Sequence, residues 1–369
     1  MKFTCNTKPL NDALALGIVN SNVSKYYAKS NLAQITATKT KVIINLEASY
    51  IVSELALKGM GDTDETVTTF VDSLLFKQLV STFETTTITL EFVAGGLILH
   101  SGKSKFTLPQ MMESGELELR KPSSVEGLVA TDVARDDWKF IKDNQMFAIS
   151  MSFEQPVYTR VWVGESGDVL VCDLTDGVVT HSRRSKLQAT CLLSDTVINL
   201  LSSLPEGAKI RQNDRNYIVT VTTDSFSYTS EFTPQYEDDP DVGSYHSEII
   251  LPSTVEPKEV ITVSAPALNK FMGQASLLSS GTEAQIEMSV EGKQLTLKDD
   301  NVDCKVDIES GEVEPFAVSF KTSYLASIIS NFGNAKLHIS PRVRDDKVVG
   351  VGFWTSDLCA VLAAVEDEA

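Results

Sequence analysis

The sequence is poor in the residues that build most catalytic and metal centres. Only four histidines occur in 369 residues (His100, His181, His246 and His338), no two are near neighbours, and there is no His-Glu-x-x-His. The five cysteines, Cys5, Cys172, Cys191, Cys304 and Cys359, are odd in number, widely spaced and without a Cys-x-x-Cys pair. Neither a disulfide framework nor a zinc site is therefore expected, and buried reduced thiols of a cytosolic protein are the plainer reading. No apolar run approaches roughly 18 residues, so no membrane-spanning helix is expected. Met1-Lys-Phe-Thr-Cys5 has no apolar h-region, and no signal peptide is expected either. Gly95–Ser104 approaches a P-loop, but that loop needs a glycine at position 97, where Leu97 stands. A nucleophile elbow and a dinucleotide fingerprint are also missing. No catalytic residue, metal or cofactor is expected, and the chain reads as a non-enzyme.

Positive charge is scarce too: 32 Lys and Arg stand against 50 Asp and Glu, a net charge of −18. Duplex DNA carries about one negative charge per 1.7 Å, so bulk attraction to nucleic acid is excluded. A nucleic-acid partner must be met by a local basic surface or held by geometry. The acidic clusters Asp62–Glu65 and Glu237–Asp241 fall between strand-like runs and read as solvated turns.

What the chain does have is repetition. Ser73–Phe83, Ser194–Leu204 and Thr322–Phe332 align without gaps, about 120–130 residues apart. Each opens on a hydroxyl residue able to cap a helix. Each then places apolar residues at i, i+3, i+4 and i+7: Phe76/Leu79/Val80/Phe83, Val197/Leu200/Leu201/Leu204 and Leu325/Ile328/Ile329/Phe332. That spacing is one face of an α-helix. An apolar strand precedes each helix and alternating runs such as Tyr217–Thr222 and Lys103–Leu108 follow, giving β-α-β-β-β. An earlier copy precedes each: Lys2–Cys5 with a helix near Lys8–Val19, Val125–Ala130 with a helix near Asp132–Ser150, and Val260–Ser264 with a helix near Pro266–Leu278. Pro9 and Pro266 fall in first helical turns, where proline is tolerated. The expectation is an α+β chain of three pseudo-equivalent domains, 1–118, 122–252 and 256–369, each of two such halves.

With this repeat, Met1-Lys-Phe-Thr4, Leu99-His-Ser-Gly-Lys-Ser-Lys-Phe-Thr-Leu108, Val171-Cys-Asp-Leu-Thr-Asp-Gly177 and Ile250-Leu-Pro252 occur in order along the whole chain. In these features the sequence resembles the bacterial DNA polymerase III β sliding clamp (processivity factor) family. The resemblance implies the DNA-clamp fold, with helices lining a ring and sheets outside. It implies a homodimer that encircles double-stranded DNA without sequence specificity and tethers DNA polymerase, the clamp loader and other proteins through clamp-binding peptides. A cytoplasmic, nucleoid-associated location with no membrane partner follows.

Candidate DNA contacts come from two sources. Arg135, Lys139 and Lys142 are spaced i, i+4, i+7 and form one basic stripe, for which a solvated helix face is the alternative. The segment Ser24-Lys25-Tyr26-Tyr27-Ala-Lys29 flanks aromatics with lysines, a composition suited to phosphate contact and stacking, or to a plain exposed loop. The resemblance adds Lys8, Lys77 and Lys270 to a lumen wall, assigns Lys25 or Lys29 a loop contact, and matches Gln155 and Tyr158 to a second loop. It also implies a partner-peptide pocket at Thr175, Gly177, Val179, Thr180, Leu251, Pro252, Val361, Leu362 and Val365, and a dimer contact of Phe106 and Leu108 with Leu277 and Leu278. The pocket departs from the family pattern: Gly177-Val-Val-Thr180 replaces Gly-His-Arg-Leu, and Ala363-Ala-Val-Glu366 with Asp367 and Glu368 replaces Met-Pro-Met-Arg. An acidic tail there would favour basic partner segments, and a phage or plasmid lineage would account for the divergence. Two alternatives stay open: a clamp-like decoy that does not encircle DNA, and an acidic β-rich hydrolase working through paired carboxylates.

Overall fold

The structure, a computed structural model, describes residues 1–17, 32–48, 51–112, 119–149, 160–164, 166–173, 175–184, 186–187, 191–213, 216–234, 245–278, 284–299, 301, 303–333 and 335–365. Lys25, Tyr26, Lys29, Gln155, Tyr158 and the Glu237–Asp241 cluster lie outside these residues.

Six β-α-β-β-β units follow one another. The first is β1 (Lys2–Asn6), α1 (Thr7–Gly17), β2 (Leu32–Ala37), β3 (Lys41–Ala48) and β4 (Ile51–Lys58). After a short β5 (Met60–Gly61) come β6 (Val67–Asp72), α2 (Ser73–Ser81), β7 (Thr87–Val93), β8 (Gly96–Ser101) and β9 (Ser104–Pro109). The third unit is β10 (Thr131–Asp132), α3 (Arg135–Asn144), β11 (Arg160–Val163), β12 (Asp168–Asp173) and β13 (Val178–Arg183). The fourth is β14 (Cys191–Ser194), α4 (Asp195–Ser203), β15 (Lys209–Asn213), β16 (Asn216–Thr222) and β17 (Phe226–Phe232). Then come β18 (Ile261–Ser264), α5 (Ala265–Leu278), β19 (Gln285–Glu291), β20 (Gln294–Lys298) and β21 (Asp303–Asp307). After β22 (Ser310–Gly311), the chain ends with β23 (Phe316–Lys321), α6 (Thr322–Asn331), β24 (Lys336–Arg344), β25 (Lys347–Trp354) and β26 (Cys359–Ala363).

The helices form where the 3.6-residue pattern demands them. Phe76 and Val80, then Val197, Leu200 and Leu201, then Leu325, Ile328 and Ile329 are all buried. Each such side chain contributes about 1.5–3 kcal/mol on burial. Three local expectations need correction. Val125–Ala130 is not a strand; only Thr131–Asp132 pairs, with Ile210 and Lys209 of β15. The helix expected over Asp132–Ser150 spans only Arg135–Asn144, then tightens into a 3-10 turn at Met146–Ala148. The opening hydroxyls of α2 and α6 are not side-chain caps: Asp72 caps α2 by accepting from the Leu75 amide at 2.7 Å, while Ser73 and Thr322 are buried in first turns.

Strand pairing repeats a single rule. In each half, the three strands after the helix form an antiparallel meander, and the strand before the helix crosses into the sister half's meander. Thus β1 pairs with β7 and β6 with β2, β10 with β15 and β14 with β11, β18 with β24 and β23 with β19. Meanders then join edge to edge, β4 with β17 and β13 with β26. The results are a five-stranded sheet (β5-β1-β7-β8-β9), an eight-stranded sheet (β10-β15-β16-β17-β4-β3-β2-β6), a nine-stranded sheet (β14-β11-β12-β13-β26-β25-β24-β18-β22) and a four-stranded sheet (β21-β20-β19-β23).

Because two sheets are continuous across the expected domain boundaries, the chain gathers into two compact units. Unit 1 comprises Met1–Lys139 and Thr196–Pro234, and unit 2 Phe140–Asp195 and Gln235–Ala369. The first two sheets belong to unit 1 and the other two to unit 2. No helix among the described residues is long and apolar enough to cross a membrane.

Candidate functional site

The helices of both units carry the candidate nucleic-acid contacts. Lys8 on α1, Arg135, Lys139 and Lys142 on α3, and Lys270 on α5 are all exposed. On α3 the same turns bury Trp138 and Ile141, which separates an apolar side from the basic stripe. Lys77 differs: α2 half-buries it, and desolvation lowers its pKa, so its ammonium is less available to a phosphate than the other five. Together the six helices carry six basic residues, those named, and five acidic ones, Asp12, Asp136, Asp137, Asp143 and Asp195. They are close to neutral in a chain of charge −18, so the negative excess lies on strands and loops.

Of the expected partner-peptide residues, Val179, Leu251 and Val361 share one face of unit 2's nine-stranded sheet, and Thr180 and Leu362 do not. Pairing of β13 with β26 sets Val179 opposite Val361 and Val178 opposite Leu362. Alternation sends Thr180 and Ser182 to the side of the 3-10 turn, where Gln145 bonds both hydroxyls at 3.4 and 2.7 Å. Val179 points the other way, into an apolar cluster with Trp162, Leu170, Cys172, Leu192 and Ile250, against which Leu251 and Val361 pack half-buried. Thr180 and Leu362 are fully buried on the opposite face, whereas Thr175, Pro252 and part of Val365 reach solvent. Gly177 has φ +65°, and a Cβ there would lie 2.4 Å from the Ala363 Cβ, so the turn needs glycine.

A segment missed by periodicity crosses this face. Residues Tyr245–Ile250 form a π-helical turn continued by Leu251–Ser253. The His246 ring stacks on Trp162 at 5.9 Å, and the Trp354 Nε1–H donates to the Thr254 carbonyl at 2.8 Å. Arg342 lies over the Trp354 ring and donates to the carbonyls of Ser253 and Val255. Ile249 and Val255 of this segment remain 60% and 64% exposed. By contrast, unit 1's eight-stranded sheet is polar on the corresponding face at β4–β17, where Glu54 opposes Thr229 and Val52 opposes Glu231. The apolar face belongs to unit 2.

Of the expected dimer residues, Phe106 and Leu108 are both on β9; Phe106 is 36% exposed beside Phe83, with ring centroids 5.3 Å apart, and Leu108 is fully buried. Leu277 and Leu278 lie in the last turn of α5. A cluster that motif reading did not assemble is Asp173, Asp176, Lys321 and Tyr324. The run Asp173-Leu-Thr-Asp176-Gly177 has the composition of an Asx turn, but nothing local announces Lys321 and Tyr324 as its partners.

No protein-family model and no curated protein sequence matches the chain. Solved structures do. The sliding clamp of Bacillus subtilis superposes with a TM-score of 0.73 at 16% identity, over 100% of this chain and 99% of that one. The DNA polymerase III β subunit of Thermotoga maritima gives 0.74 at 14%, over 99% of each chain. The Helicobacter pylori β clamp bound to a DNA ligase peptide gives 0.69 at 15%, over 99% of this chain and 100% of that one. From end to end, the chain has the sliding-clamp fold.

Proposed function

We propose that this chain is a sliding clamp, a DNA polymerase processivity factor that closes with a second copy into a ring around duplex DNA. It is read as a binding scaffold rather than an enzyme, cytoplasmic and associated with the nucleoid, built of domains 1–118, 122–252 and 256–369. The carrying observation is the edge-to-edge rule. The last strand of each domain's first half pairs with the last strand of the next domain's second half, as β4 with β17 and β13 with β26. That rule leaves β21 and β9, which have no strand on their outer edges among the described residues. A second copy continues the rule, and two head-to-tail contacts cover both pairs of edges.

Chemistry supports a specific pairing of those edges. Setting Val306 opposite Phe106 also sets Cys304 opposite Leu108 on the buried side. On the exposed side it sets Asp307 opposite Lys105 and, just beyond the strand, Glu309 opposite Lys103. Apolar meets apolar, and Asp307 and Glu309 each meet a lysine, while Lys305 falls opposite Thr107 and Asp303 opposite Pro109. Leu277 and Leu278 of one copy would pack near Phe106 of the other.

Lys8, Arg135, Lys139, Lys142 and Lys270 would face the duplex, with the loop residues Lys25, Tyr26, Lys29, Gln155 and Tyr158 as further contacts. Few, exposed cations give weak phosphate contacts without sequence information, which permits sliding. The acidic remainder keeps DNA off the outside. The apolar face at Val179, Leu251, Pro252 and Val361, rimmed by Thr175, Gly177 and Val365, would take peptides of polymerase, clamp loader and repair proteins, as the Helicobacter pylori clamp takes a DNA ligase peptide. The test is loader-dependent retention on nicked circular DNA with release when the circle is cut. A chain that binds polymerase yet is never retained on circles would be a decoy instead.

A further inference from the structure

One cross-strand row of unit 2's nine-stranded sheet meets the chain just after the π-helical turn. His338 of β24 pairs with Trp354 of β25, Trp354 with Cys359 of β26, and Cys359 with His181 of β13, so these four side chains leave the sheet on one side. Trp354 holds the Thr254 carbonyl, and Arg342 those of Ser253 and Val255. The two histidines hold side chains of the same stretch. His181 Nδ1 lies 3.1 Å from Thr254 Oγ1, and its Nε2 lies 3.0 Å from Asp168 Oδ1. His338 Nδ1 lies 2.6 Å from Glu256 Oε1.

Only one protonation state of His181 makes each of its contacts a hydrogen bond. The Thr254 hydroxyl has a single proton, which it donates to the Leu251 carbonyl at 2.7 Å. Toward His181 that hydroxyl must accept, so Nδ1 carries a proton. Burial would raise the Asp168 carboxyl, but hydrogen bonds from Ser166 and His181 hold it below its ordinary range. As a carboxylate it too only accepts, so Nε2 carries a proton as well. The ring is then an imidazolium. With one proton fewer, the Thr254 hydroxyl must turn to the ring and give up Leu251, and the attraction to Asp168 weakens. Around His181 stand Asp168 from β12, Arg183 two residues along β13, Cys359 from β26 and, beyond it, Arg342 from β24. Burial pushes the Cys359 thiol up to about 12, so it stays neutral throughout the imidazole range. Around His338 stand Glu256 and, two residues along β24, Lys336 with its partner Glu309.

We propose that Thr254–Glu256 is fastened by protons: the imidazolium forms of His181 and His338 tie it to β13 and β24, and their deprotonation draws the Thr254 hydroxyl off the Leu251 carbonyl and slackens the stretch. The carbonyl bonds from Trp354 and Arg342 persist, so the stretch loosens without leaving the sheet. Leu251 is half-buried against the apolar cluster and belongs to the turn that this hydroxyl closes. Peptide binding at that face should therefore strengthen as pH falls through the imidazole range, a consequence that alone rests on the pocket reading.

The test compares amide exchange in the full-length chain, corrected for the intrinsic rate, at about pH 5.5 and about pH 8.5, either side of the imidazole range. The Thr254 and Val255 amides bond the carbonyls of Leu251 and Pro252. Their protection should fall about tenfold at the higher pH, while the amides of β12 keep theirs. His181→Gln combined with His338→Gln should make the protection equal at both values. Level protection in the unsubstituted chain would overturn the fastening, and so would a fall that persists in the double variant or is shared by β12. A DNA ligase peptide of the kind bound to the Helicobacter pylori clamp should bind more tightly at the lower pH, and level affinity would overturn the link to that face. Failure to bind this peptide at either pH would overturn the pocket reading, while exchange still decides the fastening.

Discussion

Val179 of β13 stands directly across from Val361 of β26, and both belong to the apolar face that Trp162, Leu170 and Ile250 complete. The pair joins two distant stretches of the chain, adding apolar packing to the antiparallel ladder between β13 and β26. Val361 is the half-exposed member, so a change there alters the surface more than the core. Val361→Asp should therefore reduce binding of a polymerase or ligase peptide by at least about tenfold. The thermal midpoint should fall by no more than about 4 °C. Calorimetric titration with parallel thermal melts checks this, and full peptide affinity in the variant would remove Val361 from the pocket.

The basic stripe makes a quantitative prediction. Replacing Arg135, Lys139 and Lys142 with glutamine should lower the slope of log binding constant against log salt by up to about 0.9 for each phosphate no longer neutralised. Self-association should be preserved. Lys77→Gln should change that slope less than any one of the three, because Lys77 is half-buried on α2 while they are exposed. Equal effects from both substitutions would mean that the exposed stripe has no special role.

Charge exchange tests the copy-to-copy pairing. Asp307→Lys with Glu309→Lys should shift sedimentation toward single chains, since each lysine would then oppose Lys105 or Lys103. Adding Lys105→Asp and Lys103→Glu should restore association. Each exposed pair is worth only about 0.2–1 kcal/mol, so the effect should shrink at high salt. Rescue that fails at every salt concentration would place the interface elsewhere.

Gly352 marks a close approach in unit 2. A Cβ at that position would lie 2.0 Å from the buried Trp354 ring. Gly352→Ala should cost about 1–3 kcal/mol by overpacking and should displace the indole from its bond to Thr254. Denaturant unfolding and tryptophan emission would record both effects, and a neutral outcome would show that the ring can shift without loss.

Acid sensitivity should be uneven. Burial alone would raise the Asp176 carboxyl, but hydrogen bonds from Lys321 and Tyr324 and the Lys321 charge outweigh it and hold it below the usual range. Asp168 is likewise raised by burial yet held lower overall by Ser166 and His181. A carboxyl depressed in the folded state stabilises fully above its unfolded pKa of about 3.9, and that contribution vanishes as pH falls through the folded value. Asp176→Asn should therefore lower stability at neutral pH and lose its difference from the unsubstituted chain as pH falls through the depressed folded value. Acid titrations of the two proteins should converge, and a gap that persists at low pH would argue for a packing origin.

Helix positions were legible because their pattern is local. Leu325, Ile328, Ile329 and Phe332 lie within three turns, and burial follows their spacing directly. The basic stripe on α3 was legible for the same reason. Lys77 was not distinguishable from Lys8 in the sequence, since desolvation depends on neighbours that only folding supplies. Val125–Ala130 has strand composition but lacks a pairing partner, and β-propensity expresses itself through partners rather than intrinsically. The π-helical segment at Tyr245–Ile250 gave no periodic signal, because its place is decided by His246 on Trp162 and by the Trp354 bond to Thr254.

Sequence alone determined the six-fold repeat of a helix followed by alternating strands, the apolar side of α2, α4 and α6, and the basic stripe on α3 within an acidic chain. These are properties of neighbouring residues, and backbone geometry converts them into structure without reference to the rest of the molecule. Tertiary structure alone decided that β1 crosses to β7, that β4 meets β17 and β13 meets β26, and that Asp176 meets Tyr324. Those choices depend on hydrogen-bonding edges and charges brought together from distant positions, and no local pattern encodes which of several compatible edges will close.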